Sequence, residues 1–319
     1  MSSTQHLIGT DEAGYGPNLG PLVVTATHWD APDGVGSDQL WELLSDVISS
    51  SGPMDGRLHV GDSKQVYQPG KGITQLERSV LAFLGAIGMR PQTISELRGL
   101  LTRWRHPAED EYSAPWYSEV DAPLPLSVPA EDVEAAVQRL TTDMQRAHVR
   151  LLAVRSDVVS EPRLNRLTDA AGSKGAVLTD ATLALACGLL TVDQSPRSLV
   201  LCDKHGGRNR YAGALSEQLQ GAMVTVREES RARSIYRVGG REFRFETLAE
   251  RHLPVALASM VSKYLREASM QAFNTFWQQH CPGLRGTKGY PQDAIRFRRE
   301  IASAQAALGI HDDCLWRRR

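Results

Sequence analysis

The stretch Ile8-Gly9-Thr10-Asp11-Glu12-Ala13-Gly14-Tyr15-Gly16-Pro17-Asn18-Leu19-Gly20-Pro21-Leu22-Val23-Val24 contains the pattern that decides the fold. It predicts a short strand that delivers two adjacent carboxylates, Asp11 and Glu12, into a glycine-rich turn, followed by a second apolar strand. Side chains alternate between the two faces of a strand, so both carboxylates share a site only if the chain leaves regular β geometry there. Gly14 and Gly16 make that departure possible.

Two carboxylates beside a glycine turn suggest metal-assisted chemistry on a phosphate. Glycine lets a backbone approach a ligand closely, and hard divalent cations prefer carboxylate oxygens. The alternative is a hairpin with a solvated acidic corner, and this stretch alone leaves both interpretations open. Two commoner glycine motifs do not fit, because Gly14, Gly16 and Gly20 lack the G-x-G-x-x-G spacing and no G-K-[ST] follows a glycine loop.

The composition is that of an ordinary soluble globular protein. The chain has 319 residues, of which 41% are hydrophobic and 23% charged, and its net charge is -1, so a surface for nucleic acid has to be local. The cysteines form no C-x-x-C pair, which indicates reduced thiols; they are Cys187, Cys202, Cys281 and Cys314. Without a signal stretch or an apolar run of about 18 residues, we expect a cytoplasmic protein with no membrane span.

The rest of the sequence predicts strands and helices that build one α/β domain spanning residues 1–319. The predicted helices lie at 38–48, 73–87, 131–148, 174–190, 254–280 and 292–307, and the predicted strands at 20–29, 150–159, 198–203, 222–228, 233–238 and 241–246.

The segment 88–130 has looser periodicity and lacks the apolar pattern needed for a core of its own, so we interpret it as an insertion or lid. Its basic and aromatic side chains either stack on bases and sugars or form a surface flap; they are Arg103, Trp104, Arg105, Trp116 and Tyr117.

Further candidate residues follow along the chain. Lys64 lies in a loop after Asp62 and Ser63, and Asp203 ends an apolar strand, where ligand sites form in α/β proteins. Glu267 lies four residues after Lys263 on a predicted helix, so a salt bridge between these two side chains is the alternative to a functional role. Several arginines between residues 227 and 244 either meet phosphates or cover a solvated hairpin, and the chain ends in a basic run, 317–319.

In their order, these motifs resemble type 2 ribonuclease H (ribonuclease HII). The resemblance covers about 5–70 and 150–295, and its motifs are Asp11-Glu12-Ala13-Gly14-x-Gly16-Pro17, Asp62-Ser63-Lys64, Asp203, Ala258-Ser259-x-x-x-Lys263-x-x-Arg266-acid and Lys288-Gly289-Tyr290. It implies a ribonuclease H-like fold, in which a mixed five-stranded sheet with its first three strands antiparallel is flanked by helices.

The resemblance also implies an activity. Two divalent ions, Mg²⁺ or Mn²⁺, would be bound by the carboxylates of Asp11, Glu12, Asp203 and Glu267. Their expected substrate is the RNA strand of an RNA/DNA hybrid or of a ribonucleotide-containing duplex, cut to leave a 3'-hydroxyl and a 5'-phosphate. Two ions about 3.5 to 4 Å apart need several anionic oxygens, which four acids supply.

The substrate contacts implied by the resemblance involve the glycine turn and two further side chains. Gly14, Tyr15 and Gly16 would lie against the 2'-hydroxyl, Tyr290 would stack on the adjoining sugar, and Lys64 would face a phosphate. A backbone that contacts the 2'-hydroxyl distinguishes RNA from DNA without contacting bases.

The sequence departs from the family pattern at two of these positions. Tyr15 replaces an arginine and Glu267 an aspartate, and the segment after Lys64 is longer. We expect Tyr15 to weaken phosphate anchoring, so that activity on hybrid stretches exceeds activity on a single ribonucleotide in DNA. The alternative functions are another nuclease of this fold, for example one acting on branched DNA, and a protein that binds hybrids without cleaving them.

Overall fold

The computed structural model describes residues 4–52, 55–67, 70, 72–105, 114–192 and 198–318. Its strands are β1 (Thr4–Ala13), β2 (Leu22–Pro32), β3 (Ile48–Ser49), β4 (Leu58–His59), β5 (Arg150–Val159), β6 (Ser198–Asp203), β7 (Thr225–Glu229), β8 (Arg233–Val238) and β9 (Arg241–Glu246). A short 3-10 helix spans Ala249–Arg251.

The helices are α1 (Leu40–Leu43), α2 (Ser63–Val66), α3 (Thr74–Ala86), α4 (Ile94–Thr102), α5 (Pro115–Ser118), α6 (Ala130–Arg146), α7 (Glu161–Ala171), α8 (Lys174–Val192), α9 (Ala212–Gln218), α10 (Leu253–His280), α11 (Pro291–Ala307) and α12 (Asp312–Leu315). Most of the predicted helices are found within a few residues of their expected ends. The predicted helix 38–48 is reduced to the single turn α1, and α4, α7 and α9 are not among the predicted helices.

Seven strands form one mixed sheet in the order β5-β2-β1-β6-β9-β8-β7. Strands β5, β2 and β1 are antiparallel to one another, and β6 and β9 run parallel to β1. The five neighbouring strands β5, β2, β1, β6 and β9 confirm the predicted ribonuclease H-like sheet. The hairpin of β7 and β8 extends it, because β8 pairs antiparallel with β9.

Helices cover both faces of this sheet. On one face α3, α6 and α10 pack over residues such as Val23 and Trp29, and on the other α7 and α8 pack over residues such as Val24 and Val200. Burial of these apolar side chains is the main source of stability for such a layered fold. Among the described residues no single helix is long and apolar enough to span a membrane, although α7 and α8, bent by 106°, pass that test as a pair.

The long helix α10 lies directly on β1, and Gly9 makes this approach possible. A Cβ atom on Gly9 would overlap the backbone of Pro254 and Val255. Thr27 on the neighbouring strand donates a hydrogen bond to the Pro254 carbonyl over 2.7 Å. The contact fixes the start of α10 against the strand that carries Asp11.

The segment 88–130 packs onto the rest of the protein in its described parts. Trp116 and Tyr117 are buried, and the Trp116 ring lies 5.1 Å from the ring of Phe273 on α10. Trp104 is partly buried and donates a hydrogen bond to the Ser156 carbonyl. Trp116 and Tyr117 therefore pack in the core and do not present free faces for bases, whereas residues 106–113 lie outside the described residues.

Glu77 on α3 attaches the end of this segment. Its carboxylate accepts hydrogen bonds from the backbone N–H groups of Leu126, Ser127 and Val128 over 2.6, 2.7 and 3.1 Å. It also accepts one from the Tyr264 hydroxyl over 2.7 Å, although Glu77 itself is fully buried. One carboxylate thus joins α3, α10 and the proline-rich strip 123–129.

Candidate active site

Three predicted acids meet where β1 and β6 end. Thr10 lies opposite Cys202 in the parallel register, so Asp11 and Asp203 follow at the same edge of the sheet. Asp11 is buried, and its Oδ1 accepts the backbone N–H of Glu12 over 2.8 Å. β1 continues in register with β2 as far as Ala13, so the departure from strand geometry expected at Asp11 and Glu12 is not found. Both carboxylates nevertheless interact with Asp203 at the end of the neighbouring strand.

Burial and mutual repulsion raise the pKa of all three acids. Burial, followed by Glu12 and Asp203, holds the pKa of Asp11 well above its usual value. Burial and Asp203 raise the pKa of Glu12 to about 7, and burial together with Glu250 raises that of Asp203 to about 6. Carboxylates that resist ionisation together are typical of sites that bind a cation.

Glu250 is a fourth acid of this cluster that sequence analysis missed. Its charge contributes to the raised pKa of Asp11, Glu12 and Asp203. It lies on the 3-10 helix that follows β9, and the preceding N–H, of Ala249, donates to Asp203 Oδ1 over 3.2 Å. Because β9 is parallel to β6, an acid just after β9 belongs to the same sheet edge, and this was the available signal.

Glu267 lies in a different environment. Its Oε1 accepts a hydrogen bond from Lys263 over 2.8 Å, and its Oε2 accepts one from the Tyr67 hydroxyl over 3.0 Å and pairs with Lys288. Burial would raise its pKa, but Lys263 and Lys288 outweigh burial and lower the pKa to about 2. The salt bridge considered as the alternative from sequence is therefore present, and the predicted role of Glu267 in binding metal remains a prediction.

The glycine turn, residues 14–21, is held tightly at one end and open at its tip. Gly14 has φ +90°, and a Cβ there would overlap Arg266 Nε and lie 2.6 Å from the Pro21 carbonyl oxygen. By contrast, no heavy atom lies within 4 Å of a Cβ built on Gly16. Tyr15 and Gly16 are exposed, so the backbone at the tip is accessible to a ligand.

Tyr290 is held beside this turn. The Asn18 N–H donates to the Gly289 carbonyl over 2.7 Å, and Arg266 Nη2 donates to the carbonyls of Leu19 and Lys288 over 3.1 and 3.2 Å. Arg266 thus joins the two loops through their backbones. Tyr290 is 56% exposed and follows directly, so its ring is available for stacking.

Lys64 lies at the edge of the acidic cluster. It is exposed on the first turn of α2, where its N–H donates to the capping carboxylate of Asp62 over 2.9 Å. Its positive charge lowers the pKa of both Glu12 and Asp203, which places the ammonium group near these acids. A cation in this position is available to a phosphate that enters the site.

The donor set of the cluster fits a hard divalent cation, because Asp11, Glu12, Asp203 and Glu250 offer only carboxylate oxygens and repel one another. Among the residues that the structure describes, however, no three His, Cys, Asp or Glu side chains are positioned to hold one ion together. Binding an ion therefore requires these side chains to move closer to one another.

Similarity to known proteins is confined to solved structures, since no protein-family model and no curated protein matches the chain. The RNase HII of the PCNA:RNase HII complex from Archaeoglobus fulgidus is 17% identical, with a TM-score of 0.47 and coverage of 98% of this chain and 94% of that chain. The ribonuclease H2 from Pyrococcus horikoshii OT3 is 12% identical, with a TM-score of 0.47 and coverage of 97% and 92%. For a mutant protein of Bst-RNase HIII the identity is 15%, the TM-score 0.43 and the coverage 95% and 69%. The solved structures to which this chain is similar are thus RNase HII and RNase HIII proteins, at low sequence identity.

Proposed function

We propose that this protein is a metal-dependent endonuclease of the ribonuclease H type, which cleaves the RNA strand of RNA/DNA hybrids or of ribonucleotide-containing duplexes. The observation that carries the proposal is the cluster of Asp11, Glu12, Asp203 and Glu250 beside an open glycine turn, where burial and mutual repulsion raise the pKa of the first three acids. A group of carboxylates whose repulsion Lys64 offsets only in part, next to an accessible backbone, suits a cation and a phosphodiester together.

The four acids of the cluster would hold the metal. Mg²⁺ or Mn²⁺ supplies, when bound, stabilisation of the charge that develops on a phosphodiester during hydrolysis. Asp11 and Glu12 would bind it from β1, Asp203 from β6 and Glu250 from the 3-10 helix. Glu267, which the resemblance gives as a further ligand, pairs with Lys263 and Lys288.

The substrate contacts follow from what is exposed around the acids. Lys64 faces a phosphate of the strand, and the accessible backbone at Gly16 contacts a ribose 2'-hydroxyl. Tyr290 stacks on the neighbouring sugar. These contacts select ribose over deoxyribose and are indifferent to base sequence, as a nuclease of hybrids requires.

A substrate panel tests this function. Labelled RNA/DNA hybrid, DNA duplex with one ribonucleotide, plain DNA duplex and a branched DNA junction are incubated with Mg²⁺, Mn²⁺ or chelator, and the product ends are determined. We expect cleavage of the two ribose-containing substrates, only with metal, to a 3'-hydroxyl and a 5'-phosphate. Preferential cutting of the junction would favour the DNA nuclease, and binding of hybrid without cleavage would favour the binding protein.

A matched pair of variants connects this activity to the cluster. Asp203→Asn removes one charge at the site. Glu134→Gln removes one charge on α6, a different element of the fold, where Glu134 forms an exposed ion pair with Arg90. Asp203→Asn should abolish cleavage and Glu134→Gln should leave it unchanged. Thermal unfolding with and without Mn²⁺ gives a second readout, since only proteins that bind the ion gain stability from it.

A further inference from the structure

The last residues of the described chain run beneath the glycine turn. Asn165 on α7 donates to the Trp316 carbonyl over 2.9 Å and accepts the Arg318 N–H over 2.7 Å. Between these two contacts, the N–H of Arg317 donates to the carbonyl of Asn18 in the glycine turn over 2.9 Å. The backbone of Arg317 is therefore fixed on both sides, and its side chain is directed into the protein.

The guanidinium group of Arg317 is fully buried. Its relative exposure is 0%, and none of its three nitrogens has a hydrogen-bond partner among the described residues. Burial and the nearby Arg266 lower its pKa to about 9, so the group still carries its charge at neutral pH. A buried charge without hydrogen bonds is costly, and a protein that retains one is expected to use it.

This region holds more positive than negative charge. Glu161 is the acid close to both arginines, and its two oxygens already accept hydrogen bonds from the Gly20 N–H and the Tyr117 hydroxyl, each over 3.1 Å. Arg266 is also close to the charge of Glu267, but Glu267 is already paired with Lys263 and Lys288, so the group as a whole keeps an excess of positive charge. Because buried charges are screened little by solvent, their field reaches the surface above them.

The surface above is the glycine turn. Arg266 binds the Leu19 carbonyl and lies against Gly14, and Arg317 binds the turn at Asn18. The exposed tip of the turn, Tyr15 and Gly16, offers no cation of its own. The positive charge of this part of the site is therefore supplied from below the backbone.

Resting on the proposed function, we propose that Arg317 is a positioning residue whose buried charge, together with that of Arg266, attracts a phosphate group of the nucleic-acid strand that lies over the glycine turn. The C-terminal segment thereby takes part in substrate binding without touching the substrate. A purely structural role for Arg317 makes the opposite prediction, namely that its loss weakens the fold and leaves affinity unchanged.

The test compares binding and stability in three variants. Arg317→Met removes the charge at similar length, Arg317→Lys keeps a charge, and Arg318→Met is the matched control, since Arg318 is the exposed neighbour paired with Asp169 and Asp313. Fluorescence anisotropy with a labelled RNA/DNA hybrid in chelator gives Kd without cleavage, and urea unfolding gives stability.

We expect Arg317→Met to be at least as stable as the parent and to bind the hybrid about five- to tenfold more weakly. Arg317→Lys and Arg318→Met should bind within about twofold of the parent. Unchanged affinity in Arg317→Met would overturn the proposal.

If Arg317→Met does not fold, Arg317→Lys decides: parental affinity supports the role of the charge, and weakened affinity contradicts it. A parent that binds no hybrid at all would refute the proposed function, and this inference with it.

Discussion

The backbone N–H of Ala249 donates a hydrogen bond to Oδ1 of Asp203 over 3.2 Å, and this contact fixes the turn after β9 against the end of β6. Leu248, immediately before, adopts φ +57°, a left-handed conformation that is unusual for leucine and reverses the chain here. Glu250, the residue after Ala249, is thereby brought to the three acids at the sheet edge.

This arrangement predicts different effects for two glutamates. Glu250→Gln should reduce cleavage by about 100-fold or more, because it removes a charge from the group that we propose binds the metal. Glu267→Gln should retain cleavage within about tenfold of the parent and instead lower the free energy of unfolding by about 1 to 3 kcal/mol, because it leaves Lys263 and Lys288 without a charged partner. Cleavage rates with Mn²⁺ and urea unfolding of both variants measure these effects. Loss of cleavage in Glu267→Gln but not in Glu250→Gln would instead support the predicted role of Glu267 in binding the metal.

The glycine turn predicts a second contrast between neighbouring substitutions. Gly14→Ala should destabilise the protein by about 1 to 3 kcal/mol, because φ is +90° and the new Cβ would overlap Arg266. Gly16→Ala should leave stability unchanged, since the space around it is open, yet weaken binding of hybrid relative to binding of plain DNA. Thermal unfolding and anisotropy distinguish the two effects. If Gly16→Ala binds hybrid as the parent does, the tip of the turn does not contact ribose.

Glu77 predicts a purely structural defect. Glu77→Ala should lower the free energy of unfolding by about 3 to 5 kcal/mol, because three backbone N–H groups and a buried tyrosine hydroxyl lose their acceptor. Tyr264→Phe is the control and should cost about 1 kcal/mol, because it removes one of these hydrogen bonds. Urea denaturation measures both. A small effect of Glu77→Ala would mean that residues 126–128 do not depend on this carboxylate.

The raised pKa values predict that the metal-free protein loses stability as the pH increases. The pKa of Glu12 rises from 4.5 to about 7 on folding, and that of Asp203 from 3.8 to about 6. Between the lower and the higher pKa of each acid, the folded state binds more protons than the unfolded state. The free energy of unfolding therefore falls as the pH increases through this window. Urea unfolding in chelator at pH 5 and pH 8 tests this prediction.

His205 changes stability with pH in the opposite direction, so its contribution has to be separated from that of the acids. Burial lowers its pKa from 6.5 to about 3, so below pH 6.5 only the unfolded chain takes up its proton, and this contribution increases stability as the pH rises. Comparison with Asp203→Asn removes this background, because both proteins retain His205. The parent should lose more stability than Asp203→Asn between pH 5 and pH 8, and an equal change in both would contradict the assignment.

Much of the sheet and of the acidic cluster could be predicted because strand ends are visible in the sequence. Asp11 and Asp203 each end an apolar run, and parallel strands bring such ends together. The end of β9 pointed to the same sheet edge, but the position of Glu250 itself depends on the left-handed turn at Leu248, which no residue preference signals. Glu267 was selected from the order of motifs, while its spacing from Lys263 indicated the ion pair that the structure contains.

Tertiary contacts explain the remaining differences between the placements predicted from the sequence and those in the structure. Trp116 and Tyr117 were considered as stacking surfaces, but α10 supplies aromatic partners that bury them. The basic end of the chain has the composition of an exposed tail, and only the burial of the Arg317 side chain in the folded protein shows that it is directed inward. Such placements depend on residues far apart in the chain, which local patterns do not encode.

The most direct test of the account is the initial rate at which the parent protein cleaves the RNA strand of a labelled hybrid as MnCl₂ is titrated, with Asp203→Asn and Glu250→Gln measured alongside. The account predicts a rate that increases with Mn²⁺ to saturation in the parent, no cleavage in chelator, and loss of cleavage in both variants while hybrid binding persists. A parent that cleaves equally well in chelator, or variants that cleave at the parental rate, would contradict it.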